Sequence, residues 1–123
     1  MTDLESQLRA RLLQTFLLEA SEQLSLMTRT LDELELGGDP VQPLEVFYRA
    51  AHSLKGGARI VNLPSLEYLC QSLESVLALL RRKLLMTSTL NGMEVAGVIA
   101  AVQVPVTMLF NSVYRTYKES TNA

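Results

Sequence analysis

The chain of 123 residues contains one histidine and one cysteine, so His52 is the sole imidazole with which it can do chemistry. A lone cysteine forms no internal disulfide, and one Cys with one His cannot complete a Cys/His zinc site. An imidazole can itself act as a nucleophile when a neighbouring group fixes its tautomer and leaves one nitrogen unprotonated. The sequence after His52 supplies companions for that task. Lys55 lies one helical turn on and can bring an ammonium to an anion approaching the ring, with Arg59 as a more distant second cation. Gly56 and Gly57 follow, each costing about 1 kcal/mol relative to Ala inside a helix. Bare backbone beside a nucleophile lets a partner's surface come close, which assigns Gly56, Gly57 and Arg59 to partner docking.

The elements that must carry these residues are helices. Leu13, Leu17, Ala20, Leu24, Met27, Leu31 and Leu34 recur at steps of three and four, an apolar stripe on a helix over 3–35. Thr2 and Glu5 have capping-box spacing at its start, and Gly37-Gly38 stops it. Pro40 and Pro43 bracket a turn, and a second helix follows over 43–59 with Leu44, Phe47, Ala51, Leu54 and Ala58 inward. Asn62-Leu63-Pro64 is a connector into a third helix over 64–83, which turns Leu66, Leu69, Leu73, Leu77 and Leu80 to the core. Thr87-Ser88-Thr89 is a polar break. Asn91 and Glu94 form a second capping box, stapled by Leu90 and Val95, and the last helical region runs to about 118. Pro105 is expected to kink or split it. No segment alternates with period two. The reading is a single all-α domain over 1–123, an antiparallel four-helix bundle with its core over 3–118.

On the second helix His52 falls one step off Ala51, on a stripe flanking the core with Glu45, Tyr48, Lys55, Gly56 and Arg59. Folding the second and third helices into a hairpin about Leu63 puts residues whose numbers sum to 126 at one level. The partner of His52 at that level is Glu74, with Gln71 one turn away and able to hydrogen-bond to the site. A carboxylate accepting the Nδ1–H bond holds the neutral tautomer and leaves Nε2 free, the orienting logic of a Ser-His-Asp triad. Here the imidazole would be the nucleophile. This constellation resembles a phosphoryl-accepting histidine served by a docking protein. Tyr48 and Cys70 read as packing residues, and the methionines as core filler.

The run Ala51-His52-Ser53-Leu54-Lys55-Gly56-Gly57-Ala58 resembles the phosphoacceptor motif of histidine phosphotransfer (HPt) domains, in particular the N-terminal domain of CheA-type chemotaxis kinases. Phe16-Leu17-Leu18-Glu19-Ala20, Phe47-Tyr48-Arg49-Ala50 and Leu69-Cys70-Gln71-Ser72-Leu73-Glu74 extend the likeness over about 10–117. The resemblance implies that His52 takes phosphate from ATP through a separate histidine kinase catalytic domain, in the same polypeptide or another. It then passes the phosphate to an aspartate on a response-regulator receiver domain. The resemblance also implies that Glu74 hydrogen-bonds the reactive ring and that Lys55 lies beside it to stabilise the phosphoryl group. Chemotaxis kinases commonly have a second histidine where this chain has Gln71, which cannot titrate near neutrality. Many stand-alone phosphotransfer domains lack the glutamate, so Glu74 points to a kinase-linked domain.

Composition narrows the alternatives. Thirteen acids against eleven bases leave a net charge of −2, which argues against a nucleic-acid binder that must neutralise phosphates. No Gly-rich phosphate loop sits between a strand and a helix, so ATP and Mg²⁺ are expected on partner domains and no cofactor on this chain. By itself the chain is a carrier, not an enzyme. MTDLESQLRA has early acids and no apolar run, so no secretory signal is expected and the location is cytoplasmic. The charge-free stretch between Glu94 and Arg115 is long enough to span a membrane. Gln103, Pro105, Thr107, Asn111 and Ser112 interrupt it, which favours a largely buried bundle helix without membrane insertion. The alternative function is a structural or docking bundle in which His52 is never phosphorylated.

Overall fold

A threonine starts the first helix. The Thr2 hydroxyl accepts the Glu5 N–H at 3.2 Å, and α1 then runs over Asp3–Leu36. This computed structural model describes residues 2–87 and 90–121. Gly37 and Gly38, at φ +88° and +95°, turn the chain out of α1 through a region that side chains disfavour. The Asp39 carboxylate then accepts the Val41 N–H at 2.9 Å and opens α2, Val41–Ile60. Pro43 sits in the first turn, where its missing N–H forfeits no helical bond, so α2 starts two residues before the expected 43.

The end of α2 sets the geometry of the site. Asn62 takes φ +58°, the Leu63 N–H bonds back to the Ala58 carbonyl at 2.9 Å, and the Asn62 N–H to that of Arg59 at 3.2 Å. This pair of bonds is a Schellman termination, with Asn62 in the left-handed position. Pro64 follows at once as the first residue of α3, Pro64–Thr87. Thr87 thus still belongs to α3, while Ser88 and Thr89 of the expected break lie outside the described residues. Asn91 and Glu94 cap α4, Gly92–Thr121, reciprocally: the Glu94 N–H bonds to Asn91 Oδ1 at 2.8 Å and the Asn91 N–H to Glu94 Oε1 at 3.1 Å.

Among the described residues α1 packs on α2, α2 on α3, α3 on α4 and α4 on α1, with no diagonal contact. That closed square is an antiparallel four-helix bundle, as expected. Its axis is filled by Leu17, Leu24 and Met27 of α1, Leu44, Phe47 and Leu54 of α2, Leu66, Leu73 and Leu77 of α3, and Val102 and Leu109 of α4. Leu13, Leu31, Leu69 and Leu80, expected inward, are only partly buried, whereas Phe16 and Ala50 join the core.

Three expectations about the core change. Pro105 does not split the last helix, which is continuous from Gly92 to Thr121. A single missing N–H removes one bond, and burial of Val102, Val106 and Leu109 in the core on either side of it holds the turns together. Nor is α4 largely buried. Its most apolar window has mean hydropathy 1.8, enough by length and composition for a membrane span, yet only 22% of it is buried. The burial is one-sided because α4 meets α1 and α3 along a single face, and small or uncharged residues such as Gly97, Ala100 and Gln103 cover the other. Met27 alone of the described methionines fills the core; Met86 and Met93 are exposed.

Candidate functional site

His52 stands on the outer shoulder of α2 with 67% of its side chain exposed, and Glu74 faces it from α3 with 7% exposed. Nδ1 of the imidazole lies 2.5 Å from Glu74 Oε1. The other carboxylate oxygen, Oε2, accepts from Lys55 Nζ at 2.5 Å. Lys55 also donates to Gln71 Oε1 at 3.2 Å, and the Gln71 amide donates to Ser75 Oγ at 3.3 Å. One buried carboxylate therefore anchors both the imidazole and the ammonium.

The protonation pattern follows from that arrangement. Burial by itself raises the Glu74 carboxyl, and is the largest single influence on it. The hydrogen bonds and charges of Lys55 and His52 together outweigh it and hold the group below its ordinary value of 4.5. Glu74 is thus an ionised, acceptor-only group, so Nδ1 must carry the proton of the hydrogen bond. In the neutral ring Nε2 then holds a lone pair, on the exposed side of a half-anchored imidazole. Cys70, one turn before Glu74, is fully buried. Burial pushes its thiol up to about 12, the Glu74 charge adding and Lys55 partly opposing, which makes it an inert apolar filler.

The two glycines have different surroundings. Gly56 is exposed, and a methyl group there would meet nothing within 4 Å. At Gly57 a methyl would lie 2.9 Å from Phe16 Cδ1, so its missing side chain is accounted for by the close approach of α1. Arg59 is turned to α3, donating from Nε to Glu67 Oε1 at 2.8 Å. Gln71 reaches Lys55, with its other bond to Ser75, instead of reaching the ring directly.

A second cross-hairpin feature, not singled out in the sequence, lies above the imidazole. Arg81 of α3 forks onto Glu45 of α2, Nε to Oε2 at 2.9 Å and Nη2 to Oε1 at 3.0 Å. Its guanidinium carbon sits 4.3 Å from the centre of the Tyr48 ring. Tyr48 in turn lies parallel to the His52 ring, 9° between planes and 6.4 Å between centres. The signal that would have found Arg81 was present: 45 and 81 obey the same pairing rule about Leu63 as 52 and 74.

The chain matches the family model for the Hpt domain over residues 11–103. The chain belongs to the Hpt domain family. Hpt domains are phosphotransfer modules of two-component signalling and are not themselves catalytic. Over 76 residues this Hpt domain is 40% identical to the chemotaxis protein CheA of Klebsiella aerogenes. The match takes in 62% of this chain and 12% of that protein, so the Hpt domain corresponds to a small part of its relative's length. No solved structure matches it.

Proposed function

We propose that His52 is the phosphoryl acceptor of this Hpt domain, loaded from ATP by a CheA-like histidine kinase domain and unloaded onto a response-regulator aspartate. The observation that carries the proposal is the hydrogen bond from Nδ1 to the buried, ionised Glu74 beneath a ring that is otherwise exposed. In the loading step the Nε2 lone pair forms a bond to the γ-phosphorus. The bond from that phosphorus to the bridging oxygen breaks, and its electrons leave with ADP. The ring retains its Nδ1 proton, and the positive charge it acquires is neutralised through the bond to Glu74. In the unloading step an aspartate oxygen attacks the phosphorus, the P–N bond breaks, and its electrons return to Nε2.

Lys55 supplies the ammonium nearest Glu74 and stabilises the phosphoryl oxygens, while Gln71 holds Lys55 from the other side. Exposed Gly56, with Arg59 beside it, forms the surface against which kinase and receiver dock in turn. ATP and Mg²⁺ reside on the partner domains, and the whole relay is cytoplasmic. Incubation with a CheA-type catalytic domain and radiolabelled ATP should give an acid-labile, base-stable label that His52→Gln abolishes. Absence of label while the same kinase phosphorylates its own acceptor would leave the structural-bundle reading in its place.

A further inference from the structure

The hydrogen bond to Glu74 restrains the imidazole at one atom. The ring is otherwise tethered only through Cβ, and rocking about the Cβ–Cγ bond within the angular range that hydrogen bond tolerates still carries Nε2 through an arc. His52 is 67% exposed, so bulk packing does not stop the rotation. The near-parallel Tyr48 ring is the feature placed to do so. It stands one turn earlier on α2, the spacing at which side chains of one helix face each other.

Tyr48 is itself held. The Arg81 guanidinium lies over its ring, within the range of a cation–π contact. Arg81 has little freedom, because two of its nitrogens are forked onto Glu45. Glu45, Tyr48 and His52 are successive positions along one face of α2, while Arg81 reaches them from α3. The register of the α2–α3 hairpin is thereby transmitted to the plane of the imidazole by a route separate from Glu74.

We infer that Tyr48, clamped by the Arg81–Glu45 fork, is a positioning residue that sets the plane of the His52 ring and so the direction in which Nε2 meets phosphorus. The inference rests on His52 being the acceptor. Attack on a phosphoryl group requires the nucleophile roughly in line with the leaving group, and restricting the ring to one plane removes unproductive orientations before the donor arrives. The phenol oxygen has no part in this, so Phe can serve in place of Tyr. The guanidinium acts through Tyr48 and not on phosphate.

The test uses a small donor, phosphoramidate, so that docking of a protein partner does not enter. Nε2 bonds to phosphorus, the P–N bond of the donor breaks, and ammonia departs with its electron pair. With saturating phosphoramidate, Tyr48→Leu should lower the maximal rate about fivefold with the donor KM unchanged, and Arg81→Met should give an intermediate loss. Tyr48→Phe should stay within about twofold of the parent. In parallel, NMR relaxation of the His52 ring carbons should report wider motion in Tyr48→Leu and Arg81→Met, with no widening in Tyr48→Phe. Unchanged maximal rates and ring motion in Tyr48→Leu overturn the inference. If the parent protein takes up no phosphate on His52, it is the acceptor reading that fails, and ring motion alone then decides whether the clamp exists.

Discussion

Replacing Glu74 by glutamine is the sharpest perturbation of the site, because it keeps the shape and removes one acceptor. Both carboxylate oxygens are used, Oε1 on Nδ1 of His52 and Oε2 on Lys55. A glutamine has one oxygen for two donors. The ammonium, a full charge with 17% of its side chain exposed, takes that oxygen. The amide nitrogen is left facing Nδ1 and can only donate. Nδ1 must then give up its proton, the tautomer inverts, and Nε2 becomes the protonated nitrogen with no lone pair for phosphorus. A hydrogen bond to a charged group contributes about 1.5–3 kcal/mol, which corresponds to roughly a 10–100-fold slower loading step. Because His52 is largely exposed, water offsets part of the loss, and the lower end of that range applies. Glu74→Ala should be milder, since water then solvates either tautomer. The expected order of initial labelling rates is Glu, then Ala, then Gln, with helical circular dichroism unchanged throughout. Long-range ¹H–¹⁵N spectra should show the proton on Nδ1 in the parent and on Nε2 in Glu74→Gln. Equal rates in parent and glutamine variant, or an unchanged tautomer, would refute the reasoning.

The same structure makes three further predictions. Gly56→Ala should stabilise the fold by up to about 1 kcal/mol through helix propensity, since open space surrounds it. Gly57→Ala should destabilise by about 1–3 kcal/mol because its methyl meets the Phe16 ring; urea unfolding measures both. Cys70 should resist alkylation at pH 8 in the native protein and react fully once unfolded, as read by mass spectrometry, because its thiol is buried and raised to about 12. Acid should selectively weaken the parent. The folded-state value of Glu74 is depressed, so its contribution is fully present above about 4.5 and is lost as pH falls through the lower folded value. The stability gap between parent and Glu74→Gln should accordingly close as pH falls below about 4.5 toward strongly acidic values. A gap that stays open there would contradict the ion-pair account.

Much of the site is legible in residue numbers because a tight hairpin of two helices converts sequence into level. With the pivot at Leu63, His52 meets Glu74, Lys55 meets Gln71, Arg59 meets Glu67 and Glu45 meets Arg81. The rule holds because the Schellman turn at Asn62 and the immediate helix start at Pro64 leave almost no loop in which register can slip. Level does not disclose which of several groups at a given height form bonds. Lys55 reaches past its level partner to Glu74, and Gln71 consequently serves the lysine instead of the ring. Gly57 shows a similar limit: its cost in the helix was visible, but the Phe16 ring that explains it arrives from a helix far earlier in the chain.

From its sequence alone, this protein's class, its four helices and its sole imidazole were determined, because apolar spacing and residue type are local properties. The hairpin pairing of His52 with Glu74 also followed, since a three-residue connector allows few registers. Tertiary structure alone decided the depth at which each group sits. Glu74 is buried and His52 exposed although the two stand at one level of the hairpin, and that asymmetry places an ionised acceptor beneath a reachable imidazole. It also decided that α4 turns a broad uncharged face outward, and that Tyr48 meets the Arg81 guanidinium while its ring lies parallel to the imidazole. Burial and ring planes depend on how all four helices meet, and no spacing within one helix contains them.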